Sequence, residues 1–177
     1  MSDKPGNASD LASDLRLAFD QVFAVPPQAR IEEFENLLAL RIRGDLFALD
    51  VREIAGVEAA GTIVPLPSAS PGCLGITGIR GGLVPVYSLA LLLGYQADRD
   101  GSRLLAIPRT PDALALAMGD FEGYLRIPKS HLHEPQDASR KHVHRFADVG
   151  STVRAVVSVP SVVAMIRNGA GPASVGR

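Results

Sequence analysis

Four histidines offer the first chemistry in this chain. His131 and His133, then His142 and His144, make two His-x-His pairs. Residues two apart on a strand share a face, so each pair could turn two imidazoles toward one metal ion. A structural zinc site takes four ligands, however, and no cysteine or carboxylate cluster flanks these pairs at ligand spacing. They therefore read as solvated loop and strand histidines, and no metal is assigned. A small β-barrel that binds a ligand or metal through the 131–144 region is the alternative this pattern leaves open. The run 140–145, Arg-Lys-His-Val-His-Arg, reads as an exposed charged strand edge, which discourages aggregation, rather than as a nucleic-acid patch.

The other reactive groups are sparser still. Gly72, Gly75, Gly78, Gly81 and Gly82 crowd one stretch, yet neither G-x-G-x-x-G nor G-x-x-x-x-G-K-[ST] occurs, and none of Lys4, Lys129 and Lys141 follows a glycine. No phosphate cradle is expected there. Cys73 sits in an apolar run, where a thiol is inert, and neither a G-x-S-x-G elbow nor an H-E-x-x-H motif is present. No catalytic residue and no cofactor are assigned. Arg80 is different. The turn Ile79-Arg80-Gly81-Gly82 lies between the apolar runs 73–79 and 83–87, which predicts a hairpin presenting Arg80 outward. By itself that is a solvated turn arginine; on a rigid hairpin it is also a fork for a partner's carboxylate, which a lysine could not replace.

The elements that would hold these residues are short and β-rich. Strands are predicted at 37–43, 46–51, 54–59, 73–79 and 83–87, and a short helix runs to Gly94. Leu38, Leu40 and Ile42 alternate with Ala39, Arg41 and Arg43, as a half-buried strand requires. A polar segment at 96–102 closes the first half. Strands follow at 104–107, 114–118 and 121–127, then an exposed loop over 128–140, then a hairpin of 143–146 and 153–157 turning through 148–151. Ser158 caps a last helix through Met165, with Pro160 tolerated in its first turn. Residues 156–163 echo 86–93, which suggests two similar halves with a break near 95–102. Strands this short, interrupted this often by Gly and Pro, favour barrels over a sandwich.

Residues 1–34 read as a tail with one amphipathic helix. Residues 1–10 are polar, and disorder is expected. Leu11, Leu15, Phe19, Val22 and Phe23 then share a helical face that Ser9 or Asp10 can cap and Pro26-Pro27 ends. That face either packs on its own domain or docks in a partner's groove. Residues 168–177 read as a flexible tail, which leaves 35–167 as the domain. At 177 residues and 46% hydrophobic content the chain can bury a core. Eighteen Lys and Arg against 19 Asp and Glu give a net charge of -1, so no overall field would recruit nucleic acid or acidic membrane. One cysteine excludes an intrachain disulfide. The longest apolar run, 83–93, is broken by Pro85 and Ser88 and falls well short of the roughly 20 residues of a spanning helix. The start MSDKPGNASD has neither a basic lead nor an apolar core. A cytoplasmic location without membrane insertion is the expectation.

Leu66-Pro67, Leu74-Gly75, Ile79-Arg80-Gly81, Val84-Pro85-Val86 and Leu89 to Gly94 occur in an order and spacing that resembles the signature of CheW-like coupling domains. The run 116–128, LAMGDFEGYLRIP, resembles that family's second-half strand pair. The resemblance covers about 37–165. It implies a mainly β fold of two five-stranded, SH3-like barrel subdomains with short helices, and a non-enzymatic adaptor of bacterial chemotaxis-like signalling. Its implied partners are the regulatory domain of a CheA-type histidine kinase and the cytoplasmic tip of a methyl-accepting chemoreceptor, with other CheW-like proteins as further partners. Carried onto this chain, partner contacts fall at Arg80, Gly81, Ile79, Leu74, Ile54, Val57 and Glu53, although Ile54, Val57, Leu74 and Ile76 read by themselves as core. The stretch to Gly94 would supply most of one barrel and 104–157 most of the other. Four acidic positions of the family pattern are replaced here, by Gly56, Ser88, Gly119 and Ser158, although Glu53 could serve for the first if the strand is shifted. Ser88 and Ser158 still suit helix caps, whereas lost carboxylates would weaken partner contacts and imply a divergent coupling protein.

Overall fold

The computed structural model describes residues 32–67, 70, 72–96, 104–135 and 140–169. The expected helix at 11–23 and most of both tails lie outside them. The described elements belong to a unit spanning residues 33–177.

The first hairpin shows how local sequence sets the strands. β1 (Phe34–Ile42) and β2 (Asp45–Asp50) pair antiparallel, with Ile42 opposite Asp45. The two residues between them, Arg43 and Gly44, have φ of 54° and 93°. Positive φ at both central positions is the turn geometry whose twist matches the flanking strands. A 3-10 turn, Val51–Glu53, leads into β3 (Ile54–Ala59). β4 (Cys73–Ile79) and β5 (Gly82–Ser88) form the second hairpin, and Ser88 Oγ accepts from Leu91 N at the start of α1 (Leu89–Leu92). Then come β6 (Leu104–Pro108), β7 (Ala115–Ala117) and β8 (Asp120–Pro128). The 3-10 turn Lys129–His131, β9 (Leu132–His133), β10 (Val143–Val149), β11 (Thr152–Val157) and α2 (Val159–Arg167) complete the unit.

These strands make two sheets, in the orders β8-β1-β2-β11-β10-β9 and β3-β6-β7-β5-β4. The mainly β, two-subdomain fold is present, but the expected break near 95–102 is not where the chain divides. β1 and β2 leave the N-terminal strands to join the C-terminal ones, and β6 and β7 turn back onto β3 to β5. Parallel pairing is the reason. β2 runs parallel to β11, with Phe47 opposite Ala155, and β5 runs parallel to β7, with Val86 opposite Ala115. Parallel neighbours need a long connection between them, so strands adjacent in space come from distant sequence. Among the described residues the chain crosses from one sheet to the other twice, at Val51–Glu53 and between β7 and β8. The echo of 86–93 in 156–163 survives this interleaving: β5-Ser88-α1 and β11-Ser158-α2 occupy equivalent places, one in each sheet.

Two further expectations change. The segment 128–140, read as an exposed loop, contains β9, which pairs with β10 through His133 opposite Phe146. β9 covers β10 only at Phe146 and Ala147, so the basic run 140–145 lies before and beside that pairing; within it Arg145 turns inward to Glu35 and Asp50. The hairpin turn after β10 tightens to Gly150-Ser151.

Among the described residues, three apolar clusters form the core. Leu37, Ala48, Ile127, Ala147 and Val156 fill the six-stranded sheet, and Val86, Leu105, Ala115 and Ala117 fill the five-stranded one. The largest cluster lies in the seam between the sheets and draws on both. It includes Leu38, Leu40 and Leu49 from one sheet, Ile54, Ala106 and Leu116 from the other, Leu89 and Leu92 of α1, and Val159, Val162 and Val163 of α2. Each fully buried aliphatic side chain stabilises by about 1.5–3 kcal/mol, so the seam is a core in its own right and the halves are not free to separate.

Candidate partner-binding site

The hairpin between β4 and β5 turns through two residues, because Ile79 is paired with Gly82. Arg80 has φ 49° and Gly81 φ 82°. Glycine bears such a φ without strain, whereas arginine there costs some energy and fixes the direction of its side chain. Its guanidinium crosses to β3: Nε and Nη2 donate to Glu58 Oε1 at 2.9 and 2.6 Å. The Arg80 side chain still keeps 69% of its exposure. Gly56 lies two residues before Glu58 on the same strand face, and a Cβ there would stand 3.4 Å from Arg80 Nη2. A larger side chain at 56 would crowd the fork, so the bare backbone lets Arg80 lie flat across β3.

An apolar sheet face adjoins this pair. Val84 and Val86 of β5 point toward the five-stranded interior, so by alternation Leu83 and Pro85 point outward. Pro85 is paired with Ile76, which bridges to Val64, and Leu83 is paired with Gly78. Because Gly78 offers no side chain to cover it, Leu83 is 74% exposed, and Val64 is 55% exposed. Directly paired residues share a face. Val64, Ile76, Pro85 and Leu83 thus form a contiguous apolar strip ending beside the arginine turn.

The residues expected at partner contacts divide. Arg80, Gly81 and Val57 lie at the surface, with Val57 on the opposite face of β3 from Glu58. Leu74 and Ile79 pack half-buried against the five-stranded interior. Ile54 is only 5% exposed and belongs to the seam core, so its place among contact residues is corrected to a packing role. Glu53 is likewise turned inward, where its Oε2 accepts from Val159 N at 2.8 Å. Glu58, Leu83 and Val64 were missed. Alternation along β3 placed Glu58 on some face, but only the crossing of the β4–β5 tip over β3 gives that face a partner.

The histidines do not assemble. His133 Nε2 meets Asp148 Oδ2 at 2.8 Å, His142 Nδ1 meets Ser161 Oγ at 2.8 Å, and His144 Nε2 accepts from Arg145. Among the described residues no three His, Cys, Asp or Glu side chains group to hold a metal. The replaced acidic positions have local structural roles. Ser158 Oγ accepts from Ser161 N as Ser88 does at α1. At Gly119, between β7 and β8, a Cβ would stand 3.1 Å from the carbonyl carbon of Arg41 and from Ile42 Cγ1, and closer still to the Arg41 carbonyl oxygen. No side chain fits at 119 while β1 and β8 keep their register.

Two fused β-barrel sheets thus display an exposed, held arginine beside an apolar strip. The model of the CheW-like domain matches residues 36–168, and the chain belongs to that family of chemotaxis scaffold proteins. It is 30% identical over 103 residues to a chemotaxis protein CheW of Thermotoga maritima, an alignment covering 58% of this chain and 68% of that protein. The solved structure of the scaffolding protein TtCheW from Thermoanaerobacter tengcongensis has the same fold, with a TM-score of 0.64 at 15% identity over 72% of this chain and 90% of that one.

Proposed function

We propose that this chain is a non-enzymatic coupling protein that joins the cytoplasmic tip of a chemoreceptor to the regulatory domain of a CheA-type histidine kinase, acting in the cytoplasm. Family membership supports the scaffold role, and among the described residues no helix is long and apolar enough to cross a membrane. The observation that carries the reading is the Arg80–Glu58 pair at the end of the strip Val64, Ile76, Pro85 and Leu83. The strip supplies area that a partner's apolar surface would bury, and Arg80, whose Nε–Nη2 edge is held by Glu58, keeps its outer Nη1–Nη2 edge for a partner carboxylate. Glu58 holds the fork in the free protein, so little side-chain entropy is left to lose on docking.

The test is titration calorimetry with a purified kinase regulatory domain and, separately, with a receptor cytoplasmic fragment. Arg80→Ala and Leu83→Asp are each expected to weaken binding of the kinase domain by at least about tenfold, the loss typical of a central interface residue. Arg80→Lys should recover only part of it. Absence of binding to both partners at tens of micromolar overturns the coupling function.

A further inference from the structure

Helix α2 is tied at both ends to groups that straddle the junction of the two sheets. At its N-terminus the backbone N–H of Val159 donates to Glu53 Oε2 at 2.8 Å. Glu53 belongs to the turn Val51–Glu53, a crossing between sheets. That turn is gripped from both sides. On the six-stranded side, Arg52 and Arg145 bridge Asp50 and Glu35: Arg52 Nη2 lies 2.6 Å from Asp50 Oδ2 and 3.0 Å from Glu35 Oε2, and Arg145 Nη1 lies 2.7 Å from Glu35 Oε2. On the five-stranded side, Arg109 at the end of β6 donates its backbone N–H to the Glu53 carbonyl, its Nε to the Arg52 carbonyl and its Nη2 to the Ile54 carbonyl.

At the other end of α2, Arg167 reaches the loop that follows β6. Its Nη2 donates to Thr110 Oγ1 at 2.9 Å, and its Nε pairs with Asp112. The helix itself grows out of β11, a strand of the six-stranded sheet. Between the two fastenings Val159, Val162 and Val163 are buried in the seam. The nine residues of α2 span roughly 13 Å at 1.5 Å per residue, a lever long enough to set an angle.

We propose that α2 is a strut that fixes the angle between the two barrels, fastened to the crossing turn by the Glu53 carboxylate and to the five-stranded sheet by Arg167. The seam core resists separation of the sheets but is non-directional. Rotation within the seam is resisted by the directional contacts at the ends of the helix. Cutting either fastening leaves a folded protein whose barrels sample a wider range of angles.

The experiment is pulsed electron paramagnetic resonance on full-length chain carrying Cys73→Ser, with spin labels on cysteines placed at exposed Ser151, in the six-stranded sheet, and exposed Leu83, in the five-stranded one. The parent should give one narrow distance distribution. Glu53→Ala and Arg167→Ala should each broaden it about twofold, as expected when an element that selects one domain orientation is released. Glu53→Gln keeps a carbonyl oxygen for the Val159 N–H and should restore the narrow width. Val86→Ala, which opens a hole inside the five-stranded sheet, should lower stability without broadening. The proposal is overturned if both Glu53→Ala and Arg167→Ala leave the width unchanged, if Glu53→Gln behaves as Glu53→Ala does, or if Val86→Ala broadens the distribution equally.

Discussion

Replacing Gly119 by alanine is the sharpest test of how β7, β8 and β1 are fitted together. The added methyl would stand 3.1 Å from Arg41 C and Ile42 Cγ1 and inside contact distance of the Arg41 carbonyl oxygen. Arg41 is paired with Asp120, the residue after Gly119, so the obstruction is strand backbone and cannot swing aside. Forcing one methylene into a packed site costs typically 1–3 kcal/mol, and the upper end applies here because relief requires separating β1 from β8. With a urea m-value of about 2 kcal/mol per molar, a loss of about 3 kcal/mol moves the midpoint down by about 1.5 M. Gly78→Ala is the control: nothing lies within 4 Å of its Cβ position, and its φ is not left-handed. That change should be neutral or raise stability by up to about 1 kcal/mol through the unfolded chain. Urea denaturation followed by far-ultraviolet circular dichroism measures both. Equal midpoints for the two variants would refute the claim that position 119 is glycine for lack of space. Gly119→Asp should be at least as damaging as alanine, because its side chain begins at the same obstructed Cβ position.

Other expectations concern charge. Arg145→Met should cost roughly 2–4 kcal/mol in the same assay, because Glu35 and Asp50 are buried and would keep only Arg52, itself largely exposed, as counter-ion. Arg80→Ala should change stability by no more than about 1 kcal/mol, since an ion pair this exposed contributes little to folding; a larger loss would mean the residue is structural. Burial, then the neighbouring charges of Lys141 and Arg145 respectively, push the His142 and His144 imidazoles below their usual range. The unfolded chain therefore takes up protons first as pH falls, and stability should drop from about pH 6.5 downward. Thermal melts from pH 7.5 to 5 should show that slope, and His144→Gln should flatten it. Burial pushes the Glu53 carboxyl the other way, upward despite the Val159 N–H. Its contribution rises as pH falls toward 4.5, and Glu53→Gln should therefore steepen the acid-side decline. Burial also opposes ionisation of Asp50, yet hydrogen bonds from Arg52 and the charges of Arg52 and Arg145 outweigh it and hold that carboxyl low. Its stabilisation is lost only below about pH 4.

What the sequence determined by itself is local. The arginine-glycine turn at 80–81 and the serine caps at 88 and 158 each depend on residues a few positions apart, and each is found where spacing placed it; the strand at 37–43 is there too, but Leu37 and Ala39 are buried along with Leu38 and Leu40, so the half-buried alternation expected of it gives way to burial on both faces. The order of motifs from Leu66 to Gly94 carried the family for the same reason: a signature of turns and caps is written in neighbouring residues. Tertiary structure alone decided which strands share a sheet, because parallel pairing of β2 with β11 and of β5 with β7 joins segments that no local pattern relates. It also decided the fate of charge. Glu53, Asp50 and Arg145 look like surface residues in sequence, yet the crossing between sheets draws them to the junction, where burial is tolerated only because each charge meets its opposite or a helix N–H. Glu58 gained its partner in the same way, from a hairpin tip that arrives from 22 residues along the chain.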